Sequence, residues 1–371
     1  MKIVFSSNIS WSIYNFRLSL LKSLQDEGHE ICTVAFKDSY SKKLIDEGFE
    51  FEHISLNNNS RNPFEDIKVI FKYYKIYKNI KPDVICHNAI KPNIYGTIAA
   101  RFLNIPVVNN ISGLGTLFIK KSLSTLIAVQ LYKFSQQFAD RVIFQNLDDQ
   151  NLFVNHKIVD SSKCHIVQGS GVDTAKFVNT RLHVNREEFS FLFVGRLIKD
   201  KGILEFIEAS RMVKLKCPNT QFKILGPLYL NNSTAVTKSE LDSWVSTEKI
   251  VNYLGETDHV ISEMENVDCL VLPSYREGLS RVLIEASSMS LPIITTNVPG
   301  CKDVVVDQLN GFLCKPKDAI DLYDKMMKML LLNKNDRLKM GSRGRERVLD
   351  KFDINIINLK YKQIVKIALN G

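Results

Sequence analysis

The sequence predicts an α/β protein built from two successive doubly wound domains, and three observations carry that reading. Short apolar runs alternate with amphipathic helical stretches along all 371 residues. The alternation lapses in a polar, charged stretch at residues 179–188 and then restarts. The length suits two domains of roughly 100 to 200 residues each. In the first half, residues 2–6, 30–35, 84–86, 106–109, 141–144 and 165–168 read as strands, with helices at 14–27, closed by Gly28, and at 92–103. In the second, the strands are 189–194, 221–225, 250–254, 269–272 and 293–296. The runs are continuously apolar rather than alternating, as strands buried on both faces of a parallel sheet must be. A last helix spans 352–369, with Ile354, Ile357, Leu359, Ile364 and Ile367 as its apolar positions. The expected division is 1–180, 181–351, and a terminal helix 352–371. Open sheets of this kind bind ligands outside the carboxyl ends of their strands, so chemistry is expected in a cleft between the domains.

Composition removes several classes. With 45% hydrophobic and 24% charged residues the chain has ample material for a core, which excludes disorder as its main state. The net charge of +9 allows a nucleic acid or an anionic membrane as partner. No zinc spacing, RNP-like run or recognition helix accompanies the charge, so nucleic acid is not expected. Seven scattered cysteines without CxxC spacing argue against a disulfide framework or a zinc site and for a reducing compartment. MKIVFSSN is too short an apolar opening for a signal peptide, and no segment reaches the ~18 apolar residues of a spanning helix. A cytoplasmic protein is expected.

Two constellations carry chemistry. After the strand at 269–272, Glu277 and Gly278 precede a helix expected to open near Leu279, and Glu285 lies within it. Amides of Gly278 and Leu279 at a helix amino terminus favour a phosphate, and a carboxylate one or two turns on can accept from vicinal hydroxyls such as those of a ribose. Two solvated carboxylates are the plain alternative. After the strand at 189–194 stands FVGRLIKDKGI, where Gly195 frees the backbone and Arg196 and Lys201 suit a diphosphate, although singly each reads as a surface cation. Both constellations end strands of one domain, which favours a nucleotide diphosphate across its sheet.

Gly195-Arg196 with Lys201-Gly202, Glu277-x7-Glu285, Gly171-Val172-Asp173, and Asn310-Gly311-Phe312-Leu313 resemble, in order and over nearly the whole chain, the retaining nucleotide-sugar glycosyltransferases of family four. The resemblance implies the GT-B fold, two facing Rossmann-like domains with the last helix crossing back to the first. It implies that Arg196 and Lys201 bind the donor diphosphate, that Glu285 binds the ribose, that Glu277 contacts the transferred sugar, and that Gly278 and Leu279 offer amides to that sugar or the distal phosphate. It makes His87 a candidate for contact near the reacting carbon, a neutral hydrogen-bonded histidine being the alternative. The first loop, Ser7 to Ser12, lacks the Gly-Gly pair of many members, and Asp303 stands where members usually carry Glu.

The segment Ser12 to Arg17, with Gly113-Leu114-Gly115 and PSYREG, is similar to a bacterial subgroup that adds N-acetylgalactosamine or related sugars to undecaprenyl-diphosphate-linked saccharides. This implies a UDP-sugar donor, a lipid-diphosphate acceptor met by Arg17 and Lys91 with Gly113 and Gly115, no metal, and work at the inner membrane face. A nucleotide-sugar epimerase, a sugar phosphorylase and a basic nucleic-acid-binding protein are the rivals. Charge agrees with an acceptor-side surface: residues 1–185 hold 22 Lys and Arg against 16 Asp and Glu, net +6, and the remainder carries +3. Lys68, Lys72, Lys75 and Lys78 share one helical face opposite Val69, Tyr73 and Tyr77, a pattern that suits anionic headgroups or an ordinary solvated face.

Overall fold

The computed structural model describes residues 1–55, 63–114, 123–180, 188–229 and 232–370. The chain forms two units, Met1–Ser170 with Ile354–Gly371, and Gly171–Asp353. Within the stretch expected as a linker, residues 181–187 lie outside the described residues.

The first unit runs β1 (Lys2–Ile9), α1 (Ser10–Asp26), β2 (Glu30–Phe36), α2 (Ser39–Asp46), β3 (Glu50–His53), α3 (Pro63–Ile80), β4 (Val84–Asn88), α4 (Thr97–Arg101), β5 (Val107–Ile111), α5 (Leu123–Gln136), β6 (Arg141–Phe144), α6 (Leu147–Asn155) and β7 (Cys164–Ile166). A π-helical turn, Pro92–Gly96, leads into α4, so the helix expected over 92–103 is shorter and opens irregularly. The seven strands are parallel in the order β3-β2-β1-β4-β5-β6-β7. Their pleat explains the apolar runs. Val4 and Ile85 face a core with Tyr73, Tyr77, Ile94 and Tyr132, while Ile3, Phe5 and Val84 face a second with Ile13, Leu20, Leu21, Ile357, Tyr361 and Ile364.

The second unit continues with β8 (Ser190–Val194), α7 (Ile203–Lys216), β9 (Gln221–Leu225), α8 (Lys238–Asp242), β10 (Asn252–Tyr253), α9 (Val260–Glu265), β11 (Cys269–Leu272), α10 (Arg281–Ser288), β12 (Ile293–Thr296), β13 (Gly311–Cys314), α11 (Ala319–Leu331) and α12 (Lys334–Lys351). Its order is β10-β9-β8-β11-β12-β13, again parallel. In both sheets the strand order therefore reverses between the first and fourth strands, β1 and β4 in one, β8 and β11 in the other. Val172 pairs with Asp353 and its amide donates to the Phe352 carbonyl at 3.0 Å, so the chain leaves the first unit and returns to it at neighbouring points.

The last helix, α13 (Ile354–Leu369), belongs to the first unit. Its Ile357, Tyr361, Ile364, Val365 and Ala368 enter the core beside α1. Asn358 donates to the Ser19 hydroxyl at 2.9 Å, and Lys362 pairs with Glu27 at 2.7 Å.

Two strands lie outside the sequence reading. β3, EFEH, carries charges at alternate positions and borders the sheet, where a short polar strand is stable because only one side pairs. β13 is four residues behind the Asn310-Gly311 turn, a motif rather than an apolar run.

In α12 two glycines one turn apart separate packing from propensity. A Cβ on Gly341 would lie 1.9 Å from the Ser290 carbonyl oxygen, whereas one on Gly344 meets only ordinary contacts at 3.6 Å. Gly341→Ala is expected to destabilise by roughly 2 kcal/mol or more through overpacking. Gly344→Ala is expected to be neutral or to stabilise by up to about 1 kcal/mol, since alanine is the better helix former. Urea midpoints are the measurement: a fall is expected for Gly341→Ala and none for Gly344→Ala.

Candidate functional site

Doubly wound sheets bind at the point where strand order reverses. In the second unit that point is flanked by the loops after β8 and β11, which carry the two constellations found in the sequence. The first loop closes as a 3-10 turn, Lys199–Lys201, ending at Gly202 with φ +74°. A side chain there would meet the Pro273 carbonyl oxygen at 2.0 Å, so only glycine lets the loops touch. They are joined further through one carbonyl: Asp200 O accepts from the Tyr275 amide at 2.9 Å and from the Ser274 hydroxyl at 3.3 Å.

This junction brings Lys201 to Glu277, 76 residues on, with Nζ to Oε1 2.5 Å. Their side chains are 20% and 13% exposed, so the pair is partly withdrawn from water yet reachable. A third loop backs Glu277. Its amide donates to Pro299 O and the Ser280 amide to Gly300 O, both at 3.1 Å. The Gly300 amide donates to the Asp303 carboxylate at 2.8 Å, while Arg347 of α12 donates to the Asp303 and Val304 carbonyls. Asp303 thus fixes the glycine loop that supports Glu277.

The helix after Glu277 begins two residues later than expected, at Arg281, with extended Ser280 as its cap. The cause is the same pair of bonds to Pro299 and Gly300, which hold 277–280 as an open loop. Glu285 lies in the second turn of α10 and accepts from Arg281 Nε at 2.8 Å. Burial raises its pKa, and Arg281 is the chief group opposing that rise. Arg196 is exposed, its guanidinium 5.1 Å from the centre of the Tyr229 ring. Asn310 is buried, bonding Val306 N and Val304 O, and so shapes the turn into β13.

In the first unit the reversal point lies between β1 and β4. No glycine loop precedes α1, which starts directly at Ser10. The Asp38 carboxylate accepts from the Trp11 amide at 3.0 Å, from the Tyr40 amide at 2.8 Å and from the Ser10 hydroxyl, so one fixed carboxylate serves the starts of α1 and α2. After β4, Ala89 is held at φ +83°, a strained value for a residue with a side chain, and half-buried Lys91 precedes the π turn. Gly113, at φ +132°, follows β5; Gly115 lies outside the described residues.

Arg17 of α1 is 5% exposed. Its Nε donates to Asn88 Oδ1 at 3.2 Å and its guanidinium lies 4.6 Å from the Tyr361 ring centre, both neutral partners. Asn110 Nδ2 donates to the same Asn88 oxygen at 2.9 Å. Asn88 Nδ2, Asn110 Oδ1 and the Tyr361 hydroxyl are buried polar atoms with no partner among the described residues. A buried cation beside unfilled polar atoms is the signature of a place for a polar or anionic group. The sequence pointed to Arg17 but not to the asparagines, which carry no motif; they meet it only through the register Asn88↔Asn110.

His87 departs from its expected role. It is 0% exposed, with Nε2 2.9 Å from the Tyr77 hydroxyl and Nδ1 2.9 Å from Asn109 Oδ1. Both ring nitrogens are used inside the unit, which leaves none for a sugar; of the two readings it is the neutral, hydrogen-bonded histidine. The four lysines of α3 are exposed as expected, with Val69, Tyr73 and Tyr77 buried behind them. Ile67 and Phe71, 61% exposed, stand on the solvent side.

Residues 178–347 match the family model described as glycosyl transferases group 1, and residues 2–146 match the model described as glycosyl transferase 4-like. The chain is a glycosyltransferase. It is 29% identical, over 98% of both chains, to the N,N'-diacetylbacillosaminyl-diphospho-undecaprenol alpha-1,3-N-acetylgalactosaminyltransferase of Campylobacter jejuni. It is 27% identical to the UDP-Gal:alpha-D-GlcNAc-diphosphoundecaprenol alpha-1,3-galactosyltransferase of Escherichia coli, over 74% of this chain and 75% of that one. Among solved structures, the Anabaena protein HepE in complex with UDP-glucose superposes with TM-score 0.81 at 19% identity, covering 100% of both chains. A glycosyltransferase from Rickettsia africae superposes with TM-score 0.79 at 20% identity, over 100% and 99%. The glycosyltransferase has the GT-B fold.

Burial holds the His87 imidazole at about 4, below its ordinary 6.5. The unfolded chain therefore takes up the proton first. The stability that neutral His87 confers is whole above pH 6.5 and falls at about 1.4 kcal/mol per pH unit, roughly 3 kcal/mol in all by pH 4. His87→Gln costs stability at pH 7 but removes this slope. Urea unfolding at pH 7 and pH 4.5 is expected to show the gap between wild type and variant narrowing at the lower pH.

Proposed function

We propose that the enzyme transfers a sugar, N-acetylgalactosamine or another hexose or hexosamine, from a UDP-sugar to a hydroxyl of a polyprenyl-diphosphate-linked saccharide, with retention at the anomeric carbon. The place of this step is bacterial surface polysaccharide or glycan synthesis. The observation that carries the reading is the Lys201–Glu277 pair at the reversal point of the second sheet. A cation for a departing diphosphate and a carboxylate for a sugar's hydroxyls sit there side by side.

In this mechanism the bond from the anomeric carbon to the β-phosphate oxygen breaks, its electrons staying on that oxygen. The acceptor oxygen bonds to the same face of the carbon, and its proton passes to the departing phosphate. Charge grows on the diphosphate as the bond lengthens, so fixed cations stabilise the transition state more than the bound donor. Lys201 is held in place by Glu277 before the donor arrives, and Arg196, exposed on the same loop, adds a second cation. With these two, the reaction is proposed to run without a metal. Glu285 takes the ribose hydroxyls, and Gly278 and Leu279 lie beside the sugar.

On the acceptor side, Arg17 with its neutral partners and the unfilled valences of Asn88, Asn110 and Tyr361 suits the acceptor's diphosphate or its first sugar, with Lys91 and Gly113 on neighbouring loops. The exposed lysines of α3, with Ile67 and Phe71 among them, suit an anionic lipid surface, at about 1 kcal/mol for each cation near it. Among the described residues no helix is long and apolar enough to cross a membrane. The proposal is therefore peripheral attachment at the cytoplasmic face.

Glu277→Ala and Lys201→Ala are each expected to lower turnover roughly 10² to 10³-fold, as loss of one preorganised electrostatic group does. The assay is sugar transfer from a panel of UDP- and GDP-sugars to a short-chain polyprenyl-diphosphate saccharide, followed by mass spectrometry. Wild-type rates in both variants would remove the donor-site assignment. Reversing Lys68, Lys72 and Lys75 to Glu is expected to weaken co-sedimentation with anionic vesicles and to leave UDP binding unchanged; unaltered sedimentation would remove the membrane assignment.

A further inference from the structure

Arg281 breaks a local rule. It is the first residue of α10, where the helix dipole disfavours a cation by typically 0.3 to 1 kcal/mol. The first turn holds no acidic residue, and the Ser280 side chain makes no capping bond. Four residues on, Glu285 breaks a second rule, because it is a carboxylate whose side chain is 13% exposed. The two departures meet in one contact, Arg281 Nε to Glu285 Oε1 at 2.8 Å. Conflicts between local preference and structure concentrate at functional positions.

Resting on the assignment of Glu285 to the ribose, we infer that Arg281 is the positioning residue of the nucleotide site: its bond to Glu285 Oε1 fixes that carboxylate's orientation, so that it accepts from the ribose hydroxyls. An ionised carboxyl has two accepting oxygens with about four lone-pair sites, so Oε1 can bond Arg281 while Oε2 is presented to the ligand. A protonated carboxyl donates at one oxygen and is a poorer partner for two vicinal hydroxyls. Burial pushes Glu285 toward that protonated form; Arg281 is the chief group opposing it, and Lys176, from the segment before β8, opposes it more weakly. Its role is thus exerted through Glu285, and bond geometry and charge state are set by the same contact.

The test compares UDP with 2′,3′-dideoxy-UDP, which lacks both hydroxyls, binding to the full chain by calorimetry between pH 5.5 and 8.5. Wild type is expected to bind UDP at least tenfold more tightly than the dideoxy compound at pH 7.5. Arg281→Gln is expected to erase most of that ratio at pH 7 while leaving affinity for the dideoxy compound within about twofold, which also reports that the site is folded. Removing the cation raises the Glu285 pKa further, so the loss deepens as pH falls and shrinks as pH rises. Arg281→Lys is expected to restore most of the ratio. Equal weakening of both ligands by Arg281→Gln, or a loss independent of pH, overturns the inference, since Arg281 would then act on the diphosphate or on the fold. A wild type that binds both nucleotides equally overturns the ribose assignment itself, and that result is visible without any variant.

Discussion

The second unit depends on one contact between opposite charges. Lys201 and Glu277 come from loops that end two neighbouring strands, β8 and β11, and each charge is partly withdrawn from water. Either alone would be costly in that position, and together they neutralise each other. The surrounding backbone is arranged around this contact. Gly202 lets the first loop lie against Pro273, the Asp200 carbonyl ties the loops together, and the loop at Gly300 supports Glu277 from the other side. Three strand ends therefore behave as one platform, and Asp303, which accepts from the Gly300 amide, is one of its struts.

The first unit solves a different problem. Its reversal point contains no glycine loop, and a protein carboxylate, Asp38, already serves the amino-terminal region of α1. Beneath the strand ends lies a polar network of His87, Asn109, Asn93, Thr97 and Gln136, all buried and mutually hydrogen-bonded. The bonds within this network hold β4, β5 and the π turn relative to one another. On the opposite face the partners of Arg17 among the described residues, Asn88 and Tyr361, are neutral. The network closes over His87, with Asn93 Oδ1 its one buried side-chain atom lacking a partner among the described residues, and the opposite face retains unfilled hydrogen-bonding capacity at Asn88, Asn110 and Tyr361.

Much of this was legible in the sequence because the signals were repeated. The four strands 141–144, 221–225, 269–272 and 293–296 have the limits their apolar runs set. Both constellations of the second unit fall on loops at strand ends, and Lys201 and Glu277 meet although no local pattern joins them. What escaped depended on long-range pairing. The strand Glu50–His53 is held by β2 rather than by its own composition. The opening of α10 was displaced by bonds to a loop twenty residues further on, which no capping pattern encodes. His87 looked chemically available at a strand end because sequence does not reveal that Tyr77 and Asn109 close over it. Arg281 carries no motif, and its contact with the largely buried Glu285 carboxylate emerges only in the fold.

The return of α13 to the first unit has a consequence for biosynthesis. One face of that unit's sheet is covered by α1 together with Ile357, Tyr361, Ile364 and Val365. These residues leave the ribosome only after all of the second unit has been made. At about 5 to 20 residues per second, the roughly 180 intervening residues hold that apolar face open for some ten seconds or more. The second unit, contiguous in sequence from Gly171 to Asp353, can close in that interval. The order of completion is thus the reverse of the order of synthesis. The half made first is finished last, and a chain cut short before residue 354 exposes the surface α13 was to cover.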